Sequence, residues 1–489
     1  MRAGAPAPVP LDATIGRQLL LDDHVLAEST LVREWAVPAP HPLNPLLRPE
    51  TRRDLNGGRC PVAAPFDDGI MHDPGTGEWR VWYMSGWFDR TATRTSPDGI
   101  DWHSSPPEEL TGIDHERNGH ILQRDGTSIC RDPVGGGYRM LRWVRERTAS
   151  FAPDDLPAHG TPVLWEGGET YSSPDGRAWR SEGLSGPCGD NTTFFYDPFR
   201  GHWVFSLRTH LGPFGRGRGW HSGPGFPAAS SWEARDVLPW VGSHGLATGP
   251  AVGDLPASQI YKVSCMAYES ALLGVFAVYR GPSNDYAEAH GTVKVIDLYL
   301  GISRDGYHFT VAPEPLLSSS VQPGAWDAGY LHMVNGGILP VGEDTRVYYT
   351  GFSGISPELG HHMYAGGSMG LATLRRDGFC SLTPGPSGQG RAKTRPLNVE
   401  GSHLYINAVT ASGSITIHVG GVTSGHASSH TVPAGIDCTR LAIPLTEQFH
   451  RNQTVQVEFH LKGDARLFSF WIGDPDGQSR GYSASGQLL

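Results

Sequence analysis

Three aspartates, far apart in the chain, stand at one level of a repeat and have the chemistry to work as a set. The repeat is strand, Asp-Pro turn, strand. Ile70-Met-His-Asp73-Pro74 leads into Trp79-Arg-Val-Trp-Tyr83, Ser128-Ile-Cys-Arg-Asp132-Pro133 into Tyr138-Arg-Met-Leu-Arg-Trp143, and Thr193-Phe-Phe-Tyr-Asp197-Pro198 into Trp203-Val-Phe-Ser-Leu-Arg208. Asp125 precedes Asp132 by the same spacing as Asp190 precedes Asp197, and Asp67 with Asp68 holds nearly the matching place before Asp73. Carboxylates gathered this way suit cleavage of a glycosidic bond. A protonated acid meets the leaving oxygen, and an ionised carboxylate faces the anomeric carbon or a water. A third can hold the two pKa values apart. In this reading Asp67 is base or nucleophile, Asp125 the orienting carboxylate and Asp190 the general acid. The bland alternative is that Arg124-Asp125-Gly126 and Asp67-Asp68-Gly69 are surface turns. Gly189-Asp190-Asn191 is polar but runs into a strongly apolar strand, which favours a tunnel-end position.

Further candidates come from the later units. Tyr261 and Lys262 open the fourth, Trp326-Asp327 and His332 precede or enter the fifth, and Arg208 follows the second strand of the third, with Arg216 and Arg218 in the next loop. Beside carboxylates, such basic and aromatic groups can bind sugar hydroxyls or a uronate. Glu269 and His361 read as ordinary turn and loop residues, and Asp22-Asp23 as the end of an edge strand.

The elements that must position these residues are announced by a second repeat. Ser96-Pro-Asp98-Gly99-Ile-Asp-Trp102 recurs as Ser173-Pro-Asp175-Gly176-Arg-Ala-Trp179, as Ser303-Arg-Asp305-Gly306-Tyr-His-Phe309 and, shortened, as Arg376-Asp377-Gly378-Phe379. Asp-Gly between β-rich runs is a tight-turn signal, since glycine takes positive φ without steric cost. The aromatic after each of the first three is placed to fold back over its turn. The copies lie at nearly equal intervals except for one gap of about double length, where Ser222-Gly-Pro-Gly-Phe226 through Trp232 stands as a degenerate copy. Repeats at a long fixed period are stacked supersecondary units. Five units of four strands make a five-bladed β-propeller over residues 55–385. Residues 1–54 would supply a strand around Gln18-Leu-Leu-Leu-Asp22 that packs on the ring or closes it. After a Gly-Pro-Ser-Gly linker, alternating runs such as Ser414-Ile-Thr-Ile-His-Val419 predict a small C-terminal β-sandwich over 395–489. The fold class is therefore all-β. With 64 glycines, 39 prolines and only 18% charged residues, the composition agrees.

A formal net charge of −11 argues against non-specific nucleic-acid binding. No apolar run is long enough to span a bilayer. The opening Met1-Arg-Ala-Gly-Ala-Pro lacks the apolar core of a secretory signal, so the expected location is cytoplasmic, or secreted if a leader has been removed. Cys60, Cys130, Cys188 and Cys265 fall at or near inner strands, where buried free thiols are expected, and none of the six cysteines has CxxC spacing for zinc.

His41-Pro-Leu-Asn-Pro-Leu-Leu, the Ser-x-Asp-Gly-x-x-Trp turns and Gly189-Asp190-Asn-Thr-Thr-Phe-Phe-Tyr-Asp197-Pro198-Phe-Arg200 resemble a bacterial group of five-bladed propeller proteins similar to glycoside hydrolase families 32 and 43. The resemblance implies a furanosidase-type pocket with one acid on each of the first three blades. In those families the third acid is a glutamate, where Asp190 stands here, and the family 32 Asn-Asp-Pro-Asn-Gly signature is missing. Arg131-Asp132-Pro133 looks like the Arg-Asp-Pro triplet of fructan-cleaving hydrolases, but the repeat aligns Asp132 with turn residues. The expected activity is hydrolysis of a terminal furanoside (fructosyl or arabinosyl) or related glycoside. The alternatives are a polysaccharide lyase acting beside a uronate, with His332, Tyr261 and Arg208 as its groups, and a non-catalytic carbohydrate-binding propeller. The partner is an oligosaccharide or polysaccharide. No cofactor or catalytic metal is needed, and a structural calcium ion is compatible with the scaffold.

Overall fold

In the computed structural model, which describes residues 9–148, 162–212, 215–244, 246, 248–422 and 427–489, each long repeat is an antiparallel meander, and five of them form the blades of a propeller. The inner strands are Ala63–His72, His120–Arg131, Thr193–Asp197, Gln259–Glu269 and Gly329–Val341. Blade one continues through Trp79–Ser85, Arg90–Ser96 and Glu108–Glu109, and blades two to four follow the same order. The N-terminal residues 1–8, read above for a secretory signal, lie outside the described residues.

Both repeats have physical jobs. The Asp-Pro aspartates tie off the first hairpin of their blades: Asp132 Oδ1 accepts from the amides of Val134 (3.0 Å) and Gly135 (2.8 Å), and Asp73 and Asp197 do the same for the residues after them. Asp132 is thus a turn residue, further held by Arg139 at 2.7 Å. The Asp-Gly turns join the third strand to the fourth. In blade one Ser96 Oγ accepts from the Gly99 amide at 3.0 Å, and Gly99 sits at φ 75°, a conformation that a Cβ would strain. Trp102 folds back, fully buried, and donates its indole N–H to the Gly99 carbonyl at 3.1 Å. The neighbouring blade binds the same turn, since Tyr348 Oη of blade five donates to the Gly99 carbonyl at 3.0 Å. Trp82 of blade one likewise bonds Gly176 of blade two at 2.7 Å, and Trp220 of blade three bonds Gly306 of blade four at 3.2 Å. The motif that counts the blades also clasps them together.

The ring closes through Ala39–Pro40, which pairs with Ser368–Arg375 as the outer strand of blade five. The Gln18–Leu19 pair does not close the ring but packs on it: it hydrogen-bonds to Arg466–Gly473 in the C-terminal unit, while Leu19 and Leu21 join Tyr268 and Ala271 of blade four in one apolar cluster. That unit is, in hydrogen bonding, one eleven-stranded sheet. The strand Asp437–Lys462 serves several partners as it runs, and Leu404, Ile417, Val457 and Phe459 are among the fully buried residues of its own apolar cluster. The fourth Asp-Gly copy lies at the junction. Asp377, at φ 58°, is fully buried and accepts from Arg17 (3.0 Å), Tyr268 (3.0 Å) and Ser469 (2.6 Å), which joins propeller to second unit.

The chain then returns to the propeller. Tyr482–Ala484 pairs with the far end of the blade-four inner strand at Ala267–Glu269 and turns into Gln487–Leu488. Ala484 packs in one cluster with Ile70 and Val334 of blades one and five, Tyr482 meets Phe199 of blade three edge-on, and Ser485 hydrogen-bonds Cys130 of blade two. This hairpin therefore reaches all five blades at the end of the tunnel away from the aspartates. Higher up, Asn335 crosses from blade five to Ser128 Oγ (2.8 Å) and Ile129 O (3.2 Å) of blade two, so the tunnel is filled rather than open.

Candidate functional site

At the other end of the tunnel the inner strands depart from regular pairing at one level. Register breaks fall between Ala64 and Gly69, Arg124 and Thr127, Ile260 and Lys262, and Gly329 and His332. Bulges of this kind re-aim side chains and gather beside functional sites. Three non-glycine residues at this level, Phe66 (φ 53°), Asn191 (φ 56°) and Tyr330 (φ 52°), are held in the left-handed region. Such strain costs about 1–3 kcal/mol each and persists only where packing enforces it. For Phe66 the enforcement is a ring of aromatics, His332 at 4.1 Å and Tyr330 at 5.7 Å between centroids.

The bulges surround a pocket of about 580 Å³. Asp125 and Asp190 line it. Arg145 joins them, with Nη1 at 2.6 Å from Asp125 and Nη2 at 3.5 Å from Asp190. Arg208 forms a second ion pair with Asp190. Burial pushes the Asp125 carboxyl up to about 6 despite Arg145, with the Asp190 charge adding to the rise. Burial acts on Asp190 too, but Arg208, Arg216 and Arg145 together outweigh it and hold the group below the usual carboxylate range. Two aspartates in one pocket thus differ in their proton affinity.

Asp67 is placed beneath this pair, fully buried and paired with Lys262. Burial opposes both charges, but Lys262 keeps the Asp67 carboxyl low. Asp67 Oδ2 has no hydrogen-bond partner, and lies 3.1 Å from where a Cβ on Gly126 would be. Asp68 is turned away into a two-pronged pair with Arg124 at 3.1 and 3.2 Å. Lys262 also donates to the Met333 carbonyl at 2.7 Å, and serves as a buried staple between blades four, one and five. His332 is fully buried, 3.6 Å from Asp67, and burial drives its imidazole pKa down to about 4. Trp326 and Asp327 do not line the pocket. Trp326 packs on Tyr349 (5.2 Å between centroids), whose hydroxyl donates to Asp327 at 3.2 Å. Tyr261 does line it.

Several wall residues carry no signal in a linear reading. Trp87 stacks on Phe88 at 4.1 Å and on Tyr364 at 4.4 Å, which gives an aromatic face. Within the same lining, Tyr261 Oη and Tyr330 Oη are 2.9 Å apart, and the Lys294 ammonium lies 2.8 Å from Tyr364 Oη and 3.5 Å from Tyr261 Oη. Arg216 covers the Tyr261 ring at 4.2 Å. Burial raises the Tyr261 phenol, but Lys294 and Arg216 outweigh it and bring its pKa below the ordinary value. Beneath them Arg218, fully buried, donates to the carbonyls of Asn191 (2.7 Å) and Tyr261 (3.3 Å) and so fixes one side of the pocket against the other. A usable signal did exist for Arg145. It stands near the end of the second strand of its blade, as Arg208 does in the next, and second strands run back toward the pocket.

No family model and no curated protein matches this chain. Solved structures do. An α-L-arabinofuranosidase from Lactobacillus brevis is similar over 68% of this chain and 92% of its own, at 9% identity and a TM-score of 0.45. The neighbours are glycoside hydrolases. An exo-inulinase from Aspergillus awamori matches over 84% of this chain and 96% of its own, at 12% identity and a TM-score of 0.38. A family 43 arabinoxylan arabinofuranohydrolase from Bacillus subtilis matches over the same shares at 12% identity and a TM-score of 0.35. These are structures of the family 43 and family 32 kind that the sequence resembles, and the likeness is one of fold.

Proposed function

We propose that the pocket hydrolyses a glycosidic bond, with Asp125 as the proton donor and Asp190 as the ionised carboxylate. The observation that carries this reading is the Asp125–Arg145–Asp190 bridge, in which one carboxyl is pushed up to about 6 and the other held down. Paired carboxyls whose surroundings drive their pKa values apart mark an acid and a base. The sequence-based roles are thereby exchanged. Asp190, held by two arginines, is a poor acid, and Asp125 keeps a proton in mildly acidic solution. Asp67, sealed under the pocket by Lys262, takes the positioning role. The aromatic wall of Trp87, Phe88 and Tyr364 offers a face for a sugar ring. The bond in view is that of a terminal sugar, a fructosyl or arabinosyl furanoside or a relative of these.

The test is product release from a panel of furanosides, pyranosides and uronate-containing oligosaccharides. Asp125→Asn is expected to lose about 10²- to 10⁴-fold in turnover while still binding substrate. Activity unchanged in both Asp125→Asn and Asp190→Asn would remove the pair from the chemistry. A second reading, elimination beside a uronate, is favoured by one observation: Tyr261, with its lowered pKa between Lys294 and Arg216, is placed as a base near cations. It would yield an unsaturated, ultraviolet-absorbing product. A sugar-binding propeller would bind and release nothing.

A further inference from the structure

Four cationic side chains, Arg145, Arg147, Arg216 and Lys294, line the pocket against two carboxylates, Asp125 and Asp190. Arg145 is occupied by both aspartates, and Asp190 is also held by Arg208. Lys294 and Arg216 are different. Lys294 is 3% exposed, and among the described residues neither it nor Arg216 has a carboxylate within ion-pair distance. Their surroundings are phenols and ring faces: Lys294 Nζ lies 4.6 Å from the Tyr330 centroid and 4.8 Å from that of Tyr364, and Arg216 lies over Tyr261. Arg216 Nη1 is buried without a hydrogen-bond partner. Ring faces attract cations without neutralising them. The fully buried cations elsewhere in this propeller have a carboxylate or, in Arg218, a full set of neutral acceptors. Lys262 has Asp67, Arg124 has Asp68, Arg142 has Glu169, and Arg218 spends its donors on Asn191, Ser206 and Tyr261. A buried charge left without a partner is costly and calls for an anion from outside.

We infer that Arg216 and Lys294 form the seat for an anionic substituent, a carboxylate or a sulfate ester, on the sugar that occupies the pocket. This rests on the glycosidase reading for the ligand being a sugar, and adds that the sugar is acidic. Arg216 supplies the open donor, Lys294 a fixed positive charge, and the hydroxyls of Tyr261 and Tyr364 complete a polar corner in the same pocket as Asp125 and Asp190. The ring would then be held by its acidic group at one end, with its glycosidic bond at the aspartate pair.

Calorimetric titration of the full chain at low salt tests this with matched methyl glycosides: uronates, their uncharged methyl esters, 6-sulfated sugars, and neutral hexosides and arabinofuranosides. An acidic sugar is expected to bind at least about tenfold more tightly than its uncharged partner, and the gap should narrow as salt rises. Lys294→Met and Arg216→Gln should each bring the acid down toward its ester, with Arg216→Lys retaining part of the preference if the first two fold poorly. Whichever of carboxylate and sulfate binds more tightly identifies the substituent. Neutral sugars that bind as well as acids, a preference untouched by the substitutions, or no affinity for any acid would overturn the inference. So would an ultraviolet spectrum showing Tyr261 ionised as the internal counter-ion together with indifference to added acids. The two readings fail separately. An acid that binds while nothing is cleaved leaves the seat and removes the hydrolase; cleavage of neutral glycosides that depends on Asp125, without preference for acids, does the reverse.

Discussion

Arg145 touches both Asp125 and Asp190, yet the two carboxyls titrate apart because the rest of their surroundings differ. Asp125 is 4% exposed with a single arginine; Asp190 has Arg208 as well and the field of Arg216. The consequence for pH follows in sign. An acid that must be protonated works below its pKa, so kcat/KM is expected to fall as pH rises through about 6. The ionised partner sits below the usual carboxylate range, so activity should persist down to about pH 4. A profile that peaks above pH 7 would reject Asp125 as the donor. The shared level of Asp125 and Asp190 is legible in the sequence because turn residues keep a fixed spacing. Their roles are not, because the arginines that set them come from strands paired only in the folded blade. Lys294 and Tyr330 are silent for a related reason: one lysine before Val295–Ser303 and one tyrosine in Gly329–Val341 look like any others until two blades pack side by side.

Those bulges are the element that makes a site out of a repeat. Gly126 sits in the blade-two bulge, and a Cβ there would lie 3.0 Å from the Asn191 amide and 3.1 Å from Asp67 Oδ2. Gly126→Ala is therefore expected to displace the Asp190–Asn191 corner and lower turnover by roughly 10- to 100-fold, with a much smaller effect on thermal stability. Wild-type turnover in Gly126→Ala would show that the three blades do not need this close approach. The turns were the readable part at this scale. Ser96, Asp98, Gly99 and Trp102 form a local unit whose hydrogen bonds are set by sequence alone. That Tyr348 binds the same turn from another blade depends on ring closure, which no local pattern records.

Across the whole molecule, the propeller is fastened at places distant in sequence. Ala39–Pro40 completes blade five, Asp377 ties the ring to the C-terminal unit, and the hairpin from Tyr482 to Leu488 covers the far end of the tunnel. Removal of residues 481–489 is expected to lower the unfolding midpoint by about 5 °C, since it uncovers apolar surface of several blades at once. An unchanged midpoint would show the hairpin to be decoration. Alternating runs foretold strands after residue 395, but not that one strand, Asp437–Lys462, would partner so many others, because pairing of that kind is settled by burial across the sheet.

The position of that hairpin bears on how the protein comes into being. A ribosome delivers the pocket's parts in order, Asp125 well before Lys294, and the covering hairpin only after all of them. Through most of synthesis the growing polypeptide carries its aspartates, arginines and lysines without the neighbours that will hold them. The blades can form as they emerge, and the ring can close once Ser368–Arg375 meets Ala39–Pro40, but the far end of the tunnel stays uncovered until the returning hairpin arrives. A product of interrupted translation that stops before Tyr482 would thus hold all five blades and every pocket residue, with the apolar far end of the tunnel open to water.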